Sequence, residues 1–390
     1  MAETRNDIQN GEEKRRRRGL WGLLGFLLIL LAVLAVVVLA AYRDGTGFDV
    51  LRRYLHYGGS ESAGGEVVYR YDASGSNRFA VLGSRLVVLS DTALRVLDEH
   101  GGEVWSTPVR MTAPALTQGG GRAVAYDVGG TELYVVDETG LLAHVTAGEN
   151  EPYLAATVNR NGYLAVIAKT QNHKGTVSVY DEKMKRVFDF HSSRRFVADA
   201  YVTDDNARLA AVTLGQENSV FVSNVVIYRL DSEEPESSYD VSGDLESAIG
   251  QQGSRLITVG DTCLACAAAN GTVEGTYSYG GSYLRDYDLG GDGFSVLLLN
   301  RYQSGSVGRL VTVDASAAEL GSLEVREEIL SVSAAGRYIA VLYANRLVVY
   351  NQDLQVYASL TGTDSVREAL MRSDGSVLLL SAESAGLFLP

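Results

Sequence analysis

The chain has 390 residues, with 34 Lys plus Arg against 48 Asp plus Glu for a formal charge of −14, and it is 46% hydrophobic and 21% charged. That balance excludes a disordered polymer, and 42 Gly without a collagen period, 5 Pro and 2 Cys exclude fibrous, low-complexity and disulfide-scaffold classes. A net-acidic chain whose one basic block is a short N-terminal run is also a poor nucleic-acid binder, because phosphate neutralisation carries most non-specific affinity.

Residues 1–18 hold polar and charged side chains with hardly an apolar one, which predicts a disordered tail. Residues 19–42, GLWGLLGFLLILLAVLAVVVLAAY, carry no charge. At about 1.5 Å per residue they give roughly 36 Å of helix, enough to cross a hydrocarbon core of about 30 Å. The sequence therefore predicts a single transmembrane helix, with Trp21 and Tyr42 at headgroup level. Lys14 to Arg18 supply consecutive positive charges before the span, whereas Arg43, Arg52 and Arg53 after it are interleaved with Asp44 and Asp49. The positive-inside rule places the N-terminus in the cytoplasm and the rest of the chain outside the cell membrane. The competing reading is a cleaved signal peptide ending near Val38-Leu39-Ala40, although the apolar run exceeds the usual h-region of about 7–15 residues. Residues 43–64 form a stalk. There Phe48, Leu51 and Leu55 recur at helical spacing before Gly58-Gly59; an irregular linker fits equally well.

Beyond residue 65 the chain repeats itself. A turn residue precedes a β-rich apolar run at Gly83, Gly121, Gly162, Asn206, Gly253, Gly293, Gly336 and Gly375, with spacings of 38, 41, 44, 47, 40, 43 and 39. An alternating strand ending in Asp or Asn follows, at Asp98, Asp137, Asp181, Asp231, Asn270, Asp314 and Asn351. Such a residue caps its own turn through side chain to backbone bonds. Each unit reads as four short strands: one before the Gly turn, one after it, one ending at Asp or Asn, and one beyond. Repeated four-stranded units of this length are the blades of a β-propeller. The last unit has only three strands, VREALMR, SVLLLSA and AGLFLP, and the orphan strand EVVYRYD at Glu66 to Asp72 can complete it. An all-β propeller over 65–390 with eight blades follows, seven being the alternative if one turn belongs to an inserted hairpin. A β-sandwich pair or β-solenoid is the remaining alternative.

The runs VLDEHGGEVW and LYVVDETG resemble repeats of pyrroloquinoline-quinone-like propellers and of outer-membrane assembly propeller lipoproteins. With its basic tail and single span, the chain as a whole resembles a family of single-pass, membrane-anchored bacterial propellers classed as a domain of unknown function. Trp105 matches the Trp that packs between blades in quinoprotein-type repeats, but no other unit keeps it. The resemblance implies a scaffold without cofactor.

Chemistry-bearing patterns are sparse. Cys263 and Cys266 form a CxxC inside an apolar strand, where residues three apart face opposite sides at about 10 Å, too far for an undistorted disulfide. Buried structural thiols are expected there, with a disulfide at a local bulge or redox chemistry as alternatives. His56, His100, His144, His173 and His191 lack metal-ligand spacing, and only His173 sits in a long loop. Asp288, Asp292 and Gly293 lack the EF-hand pattern and read as one more turn. Tyr126, Tyr180, Tyr228 and Tyr350 occupy strand positions suited to packing between blades.

Loop length points further. The connection after the second strand is short in several units but expanded around Gln171, Asn172 and His173, around Gln216, Glu217 and Asn218, and around Tyr302 and Gln303. Insertions on one face of a repeat array mark a binding face, with solvated loop variation as the plain alternative. The expectation is a membrane-held scaffold, without catalytic or metal site, docking a protein, peptide or glycan of the cell envelope through these residues. A glycan hydrolase or lyase is the second reading, and it needs acidic residues converging at the propeller axis. The repeats fix neither the ligand nor an oligomeric state.

Overall fold

The computed structural model describes residues 25–36, 66–241 and 243–390. Residues 25–36 are helical, α1, and expose side chains such as Phe26 and Ile29. Among the described residues no helix is long and apolar enough to cross a membrane. The rest of the span expected over 19–42 lies outside them, as do the tail 1–18, the stalk 43–64 and His56.

From Glu66 onward every regular element among the described residues is a strand. After β1 (Glu66–Arg70), blade one is β2 (Arg78–Leu82), β3 (Arg85–Leu89), β4 (Ala93–Leu97) and β5 (Glu103–Pro108). Blade two is β6 (Pro114–Gly119), β7 (Arg122–Asp127), β8 (Glu132–Asp137) and β9 (Gly140–Thr146), and blade three is β10 (Tyr153–Val158), β11 (Leu164–Ala168), β12 (Gly175–Tyr180) and β13 (Arg186–Ser192). Blade four is β14 (Phe196–Val202), β15 (Arg208–Glu217), β16 (Val220–Arg229) and β17 (Pro235–Tyr239), and blade five is β18 (Ala248–Gln252), β19 (Arg255–Val259), β20 (Cys263–Ala268) and β21 (Val273–Ser278). Blade six is β22 (Tyr283–Asp288), β23 (Phe294–Asn300), β24 (Gly308–Asp314) and β25 (Glu319–Val325), and blade seven is β26 (Ile329–Ala335), β27 (Tyr338–Tyr343), β28 (Arg346–Asn351) and β29 (Val356–Thr361). Blade eight joins β30 (Glu368–Met371), β31 (Val377–Leu380) and β32 (Ser384–Phe388) to β1, in the order β1-β32-β31-β30. The chain is thus an eight-bladed propeller closed by its first strand. Buried Tyr69 and Tyr71 fasten the closure, the Tyr71 hydroxyl donating to the carbonyls of Ser381 at 3.0 Å and Ser384 at 2.7 Å.

The turn chemistry explains the period. The repeat residues Gly83, Gly121, Gly162, Asn206, Gly253, Gly293, Gly336 and Gly375 all have positive φ, between 57° and 86°, in the first hairpin of their blade. Glycine suffers no Cβ clash there, and Asn is among the side chains that tolerate it best. In the third hairpin the repeat Asp or Asn accepts the backbone amide two residues on and, in blades one, three, six and seven, the amide four residues on as well. Gly102 donates to Asp98 at 2.8 Å, Lys185 to Asp181 at 2.8 Å and Gln355 to Asn351 at 2.8 Å. Asp231 departs from the rule, its carboxylate being held by the Arg229 guanidinium at 2.6 and 2.9 Å.

The apolar core is divided among the blade interfaces. Leu86 and Val88 of β3 pack toward blade eight, whereas Val87 and Leu89 of the same strand pack toward blade two. A second strand buried on both faces needs apolar residues throughout, which is why LVVL, LAVIA and VLLL read as unbroken runs. Outer strands alternate instead, as in β21 and β25. Trp105 of blade one packs against Gly140 of blade two, where a Cβ would lie 2.9 Å from the indole.

Candidate functional site

Antiparallel strands alternate in direction, so all connections between second and third strands lie at one end of the propeller with the blade-to-blade connections. The first and third hairpin turns occupy the other end. The expected loops therefore share one end, called upper here. Gln171, Asn172 and His173 lie between β11 and β12 of blade three, and Tyr302 and Gln303 between β23 and β24 of blade six.

Blade four corrects the third expectation. Gln216 and Glu217 end strand β15, and only Asn218 and Ser219, both with positive φ, form the turn. The stretch is a tight hairpin on two ten-residue strands, paired from Arg208↔Arg229 to Glu217↔Val220. Positive φ at both turn residues is the type I′ geometry that matches strand twist. The inner neighbour β14 reaches only to Leu214, and the outer neighbour β17 only to Val225. Residues 215–224 therefore form a two-stranded ribbon, buried at Ser223 near its base and projecting toward its tip. Its tip is apolar: Val220 is 62% and Phe221 70% exposed.

The structure joins this ribbon to the blade-three loop. Arg195 bridges the Glu217 carboxylate and, at 2.8 Å, Asn224 Oδ1. The next residue, Phe196, is exposed and takes the Lys174 ammonium 4.8 Å above its ring. His173 Nδ1 lies 3.3 Å from the Ser193 hydroxyl, and its ring 5.0 Å from that of His191. Tyr302 and Gln303 stay two blades away on the same end.

The base of the ribbon is tied down by the connection from blade four to blade five. Ser223 bonds the Glu246 carboxylate and accepts the Glu246 amide at 2.9 Å, while Glu246 accepts the Val241 amide at 2.9 Å. Burial, with the charges of Asp244 and Asp240 adding to it, holds the Glu246 carboxyl above its usual range. Beside it the Cys263 thiol donates to Asp244 at 3.2 Å. Both cysteines are buried and free, as the strand geometry requires. Burial first, then the hydrogen bond to Asp244, pushes the Cys263 thiol up to about 12, and burial pushes Cys266 up to about 11. Neither is a nucleophile at neutral pH.

On the flank below His191 a groove of about 740 Å³ separates β13 from the lower half of blade four. Phe188 and Phe190 face Tyr228 there at 5.8 and 5.0 Å, with Arg186 and Asp231 at its lower end. Tyr126, Tyr180 and Tyr350 are built into blade interfaces.

Acidic residues do gather on the inner strands, and the sequence reading missed what they do. Asp199 accepts the amides of Ala200 at 2.8 Å and of Ile249, in the next blade, at 2.9 Å. Asp288 accepts Gly290 at 2.6 Å and Ala334 of blade seven at 2.8 Å, so its carboxylate caps amides of its own turn and of the next blade. Ser331 and Ser333 treat Ala369 and Met371 of blade eight alike, at 3.0 and 3.1 Å. These side chains satisfy inner-strand edges that have no strand partner. Burial pushes Asp199 and Asp288 up to about 6, against the pull of the amides. A signal was present: polar residues at alternating positions in FVADAYV, YLRDYDL and ILSVSAA, on strands that bulge before Asp199, Asp286 and Ser331. Among the described residues no three His, Cys, Asp or Glu side chains are grouped to hold a metal ion.

Residues 61–252 match the model of a family of unknown function, DUF5711. No curated protein matches the chain. Among solved structures, the computationally designed Ika8 protein covers 84% of this chain and 100% of its own at 15% identity and a TM-score of 0.62. The C-terminal WD40 domain of Sif2 covers 84% and 99% at 13% identity and a TM-score of 0.60. BamB from Moraxella catarrhalis covers 83% and 99% at 13% identity and a TM-score of 0.55. At such identities the likeness is one of fold.

Proposed function

We propose that this propeller is a non-enzymatic binding module, tethered to the cell membrane through residues 19–42 and held outside it, that docks a cell-envelope protein or glycan on the upper end of blades three and four. The observation that carries the reading is the projecting ribbon, whose Val220 and Phe221 stand in solvent beside exposed Phe196. Contiguous apolar side chains on a rigid element are kept exposed where another surface covers them. The tether rests on the uncharged run 19–42 and the basic residues before it. The BamB-like fold is compatible with an envelope scaffold. The glycan-hydrolase reading gains nothing from Asp199 and Asp288, which are engaged as amide acceptors between blades.

Photo-crosslinking of the full chain in native membranes tests the reading. A photoreactive residue at Phe221 and one at Gln171 are expected to capture a common partner, and one at Gln352, in a turn of the opposite end, none. Capture equal at all three sites, or at none, would overturn it. Tyr302 reports whether the partner extends to blade six.

A further inference from the structure

We propose that the upper end of blade three, with Phe196 and the ribbon tip beside it, receives an acidic segment of a partner protein that also carries an apolar anchor. The inference rests on the binding-module reading and specifies the chemistry of the partner.

The distribution of charge carries the argument. Residues 43–390 hold 28 Lys and Arg against 44 Asp and Glu, a net −16. Residues 153–195, which span blade three and the connection out of it, hold eight Lys and Arg against three Asp and Glu, a net +5. Every Lys beyond the N-terminal tail is there: Lys169, Lys174, Lys183 and Lys185. Charge segregated in this way steers and selects a partner of the opposite sign.

The two ends of the blade use their cations differently. At the lower end Arg160 meets Asp204 at 3.7 Å and Arg186 meets Asp189 at 3.2 Å, while Lys183 and Lys185 share their turn with Asp181 and Glu182. At the upper end Lys169, Lys174 and Arg194 are exposed and make no ion pair among the described residues. The ribbon's Glu217 is neutralised by Arg195.

These upper cations stand beside apolar surface. The Lys174 amide donates to the Ser192 carbonyl at 2.7 Å, seating the blade-three loop against the strand end that leads to Arg194. The Lys174 ammonium then rests over the ring of Phe196, which is 56% exposed, and keeps its outward hydrogens for a ligand. Arg195 ties this platform to the ribbon at Asn224, next to exposed Val220 and Phe221. A carboxylate-bearing segment pairs with Lys174 and Arg194, and its apolar side chain covers the two phenylalanines. A polyanionic glycan would leave those rings uncovered.

Fluorescence anisotropy on the full chain in neutral-detergent micelles tests the chemistry. The probes are a labelled, blocked peptide of alternating Glu and Val around one Phe, the same peptide with Lys for Glu, and a linear polyuronate of equal charge. The Glu peptide is expected to bind, and to weaken roughly tenfold when salt rises from about 0.05 M to about 0.5 M. Lys174→Glu with Arg194→Glu should weaken it by roughly tenfold or more. Lys183→Glu with Lys185→Glu makes the same change of net charge about 20 Å away, beyond a Debye length, and should alter binding by less than about twofold. Absence of binding overturns the proposal, as does equal binding of the Lys peptide or equal weakening by the two charge reversals. Polyuronate binding as tight as that of the Glu peptide overturns it by making a glycan the occupant. Self-association of the chain that the Lys174/Arg194 reversal abolishes overturns it by making a second copy the occupant. The probes need no natural partner, so failure here leaves the crosslinking test of the binding module standing on its own.

Discussion

Two kinds of strand edge coexist in blade four, and the molecule treats them oppositely. The inner edge faces the next blade, and Asp199 reaches across it to the Ile249 amide at 2.9 Å. The outer edge of β16 runs past the end of β17, and at its tip Val220 and Phe221 stand exposed with no strand beside them among the described residues. Unmet backbone groups are costly when buried and adhesive when exposed. Where the fold must hold itself together it places a carboxylate or a Ser hydroxyl, as Asp288, Ser331 and Ser333 repeat in blades six and seven. Where it meets the outside it leaves the ladder open and surrounds it with valine and phenylalanine.

The comparison can be broken at a third edge, that of β32, which β1 covers. Tyr69 is 2% exposed in the closing blade, and Tyr69→Ala should lower unfolding stability by about 3–5 kcal/mol in a denaturant titration, as for other large buried aromatics. A loss near zero would show that β1 does not fasten the ring. Asp199→Ala strips the acceptor from two amides and should cost about 2–4 kcal/mol, whereas Asp199→Asn, which keeps one acceptor oxygen, should cost clearly less. Equal losses for the two variants would refute the capping role.

The capped edges also predict a pH dependence. Asp199 and Asp288 titrate near 6 in the folded chain because burial disfavours their charged forms, against an ordinary value of 3.8. The folded state therefore holds more protons between those values, and stability falls as pH rises from about 4 to about 6. The expected loss is of order 1–3 kcal/mol per group. Thermal melting across this window should show the decline, and Asp199→Asn should remove about half of it. The smallest effect belongs to the open edge: Phe221→Ser, at a side chain 70% exposed, should shift stability by less than about 0.5 kcal/mol while abolishing capture at the ribbon. A large stability loss there would mean that Phe221 is part of the fold.

The blades were legible because their turns are chemically singular. A backbone that must take positive φ demands Gly or Asn, and a hairpin that caps itself demands Asp or Asn, so both hairpins leave marks at a fixed interval. The ribbon left no such mark. Asn218 and Ser219 make its turn without glycine, and the polar Gln216 and Glu217 beside them resemble an inserted loop, so lengthened strands carry the same pattern as a lengthened connection. The inner-strand acids were illegible for another reason. Their partners are amides in the next blade, Ile249 lying fifty residues beyond Asp199, and a distance of that kind exists only once the ring has formed.

That ring imposes an order on its own making. The Tyr71 hydroxyl bonds the Ser384 carbonyl across 313 residues of sequence, so the first strand to be synthesised is the last that can be seated. Until β32 exists, the side of blade one carrying Leu86 and Val88 has no neighbour to cover it. A nascent chain must therefore keep an adhesive apolar flank waiting through the synthesis of seven blades, and truncation near the C-terminus should unseat the N-terminal strand as surely as deleting it.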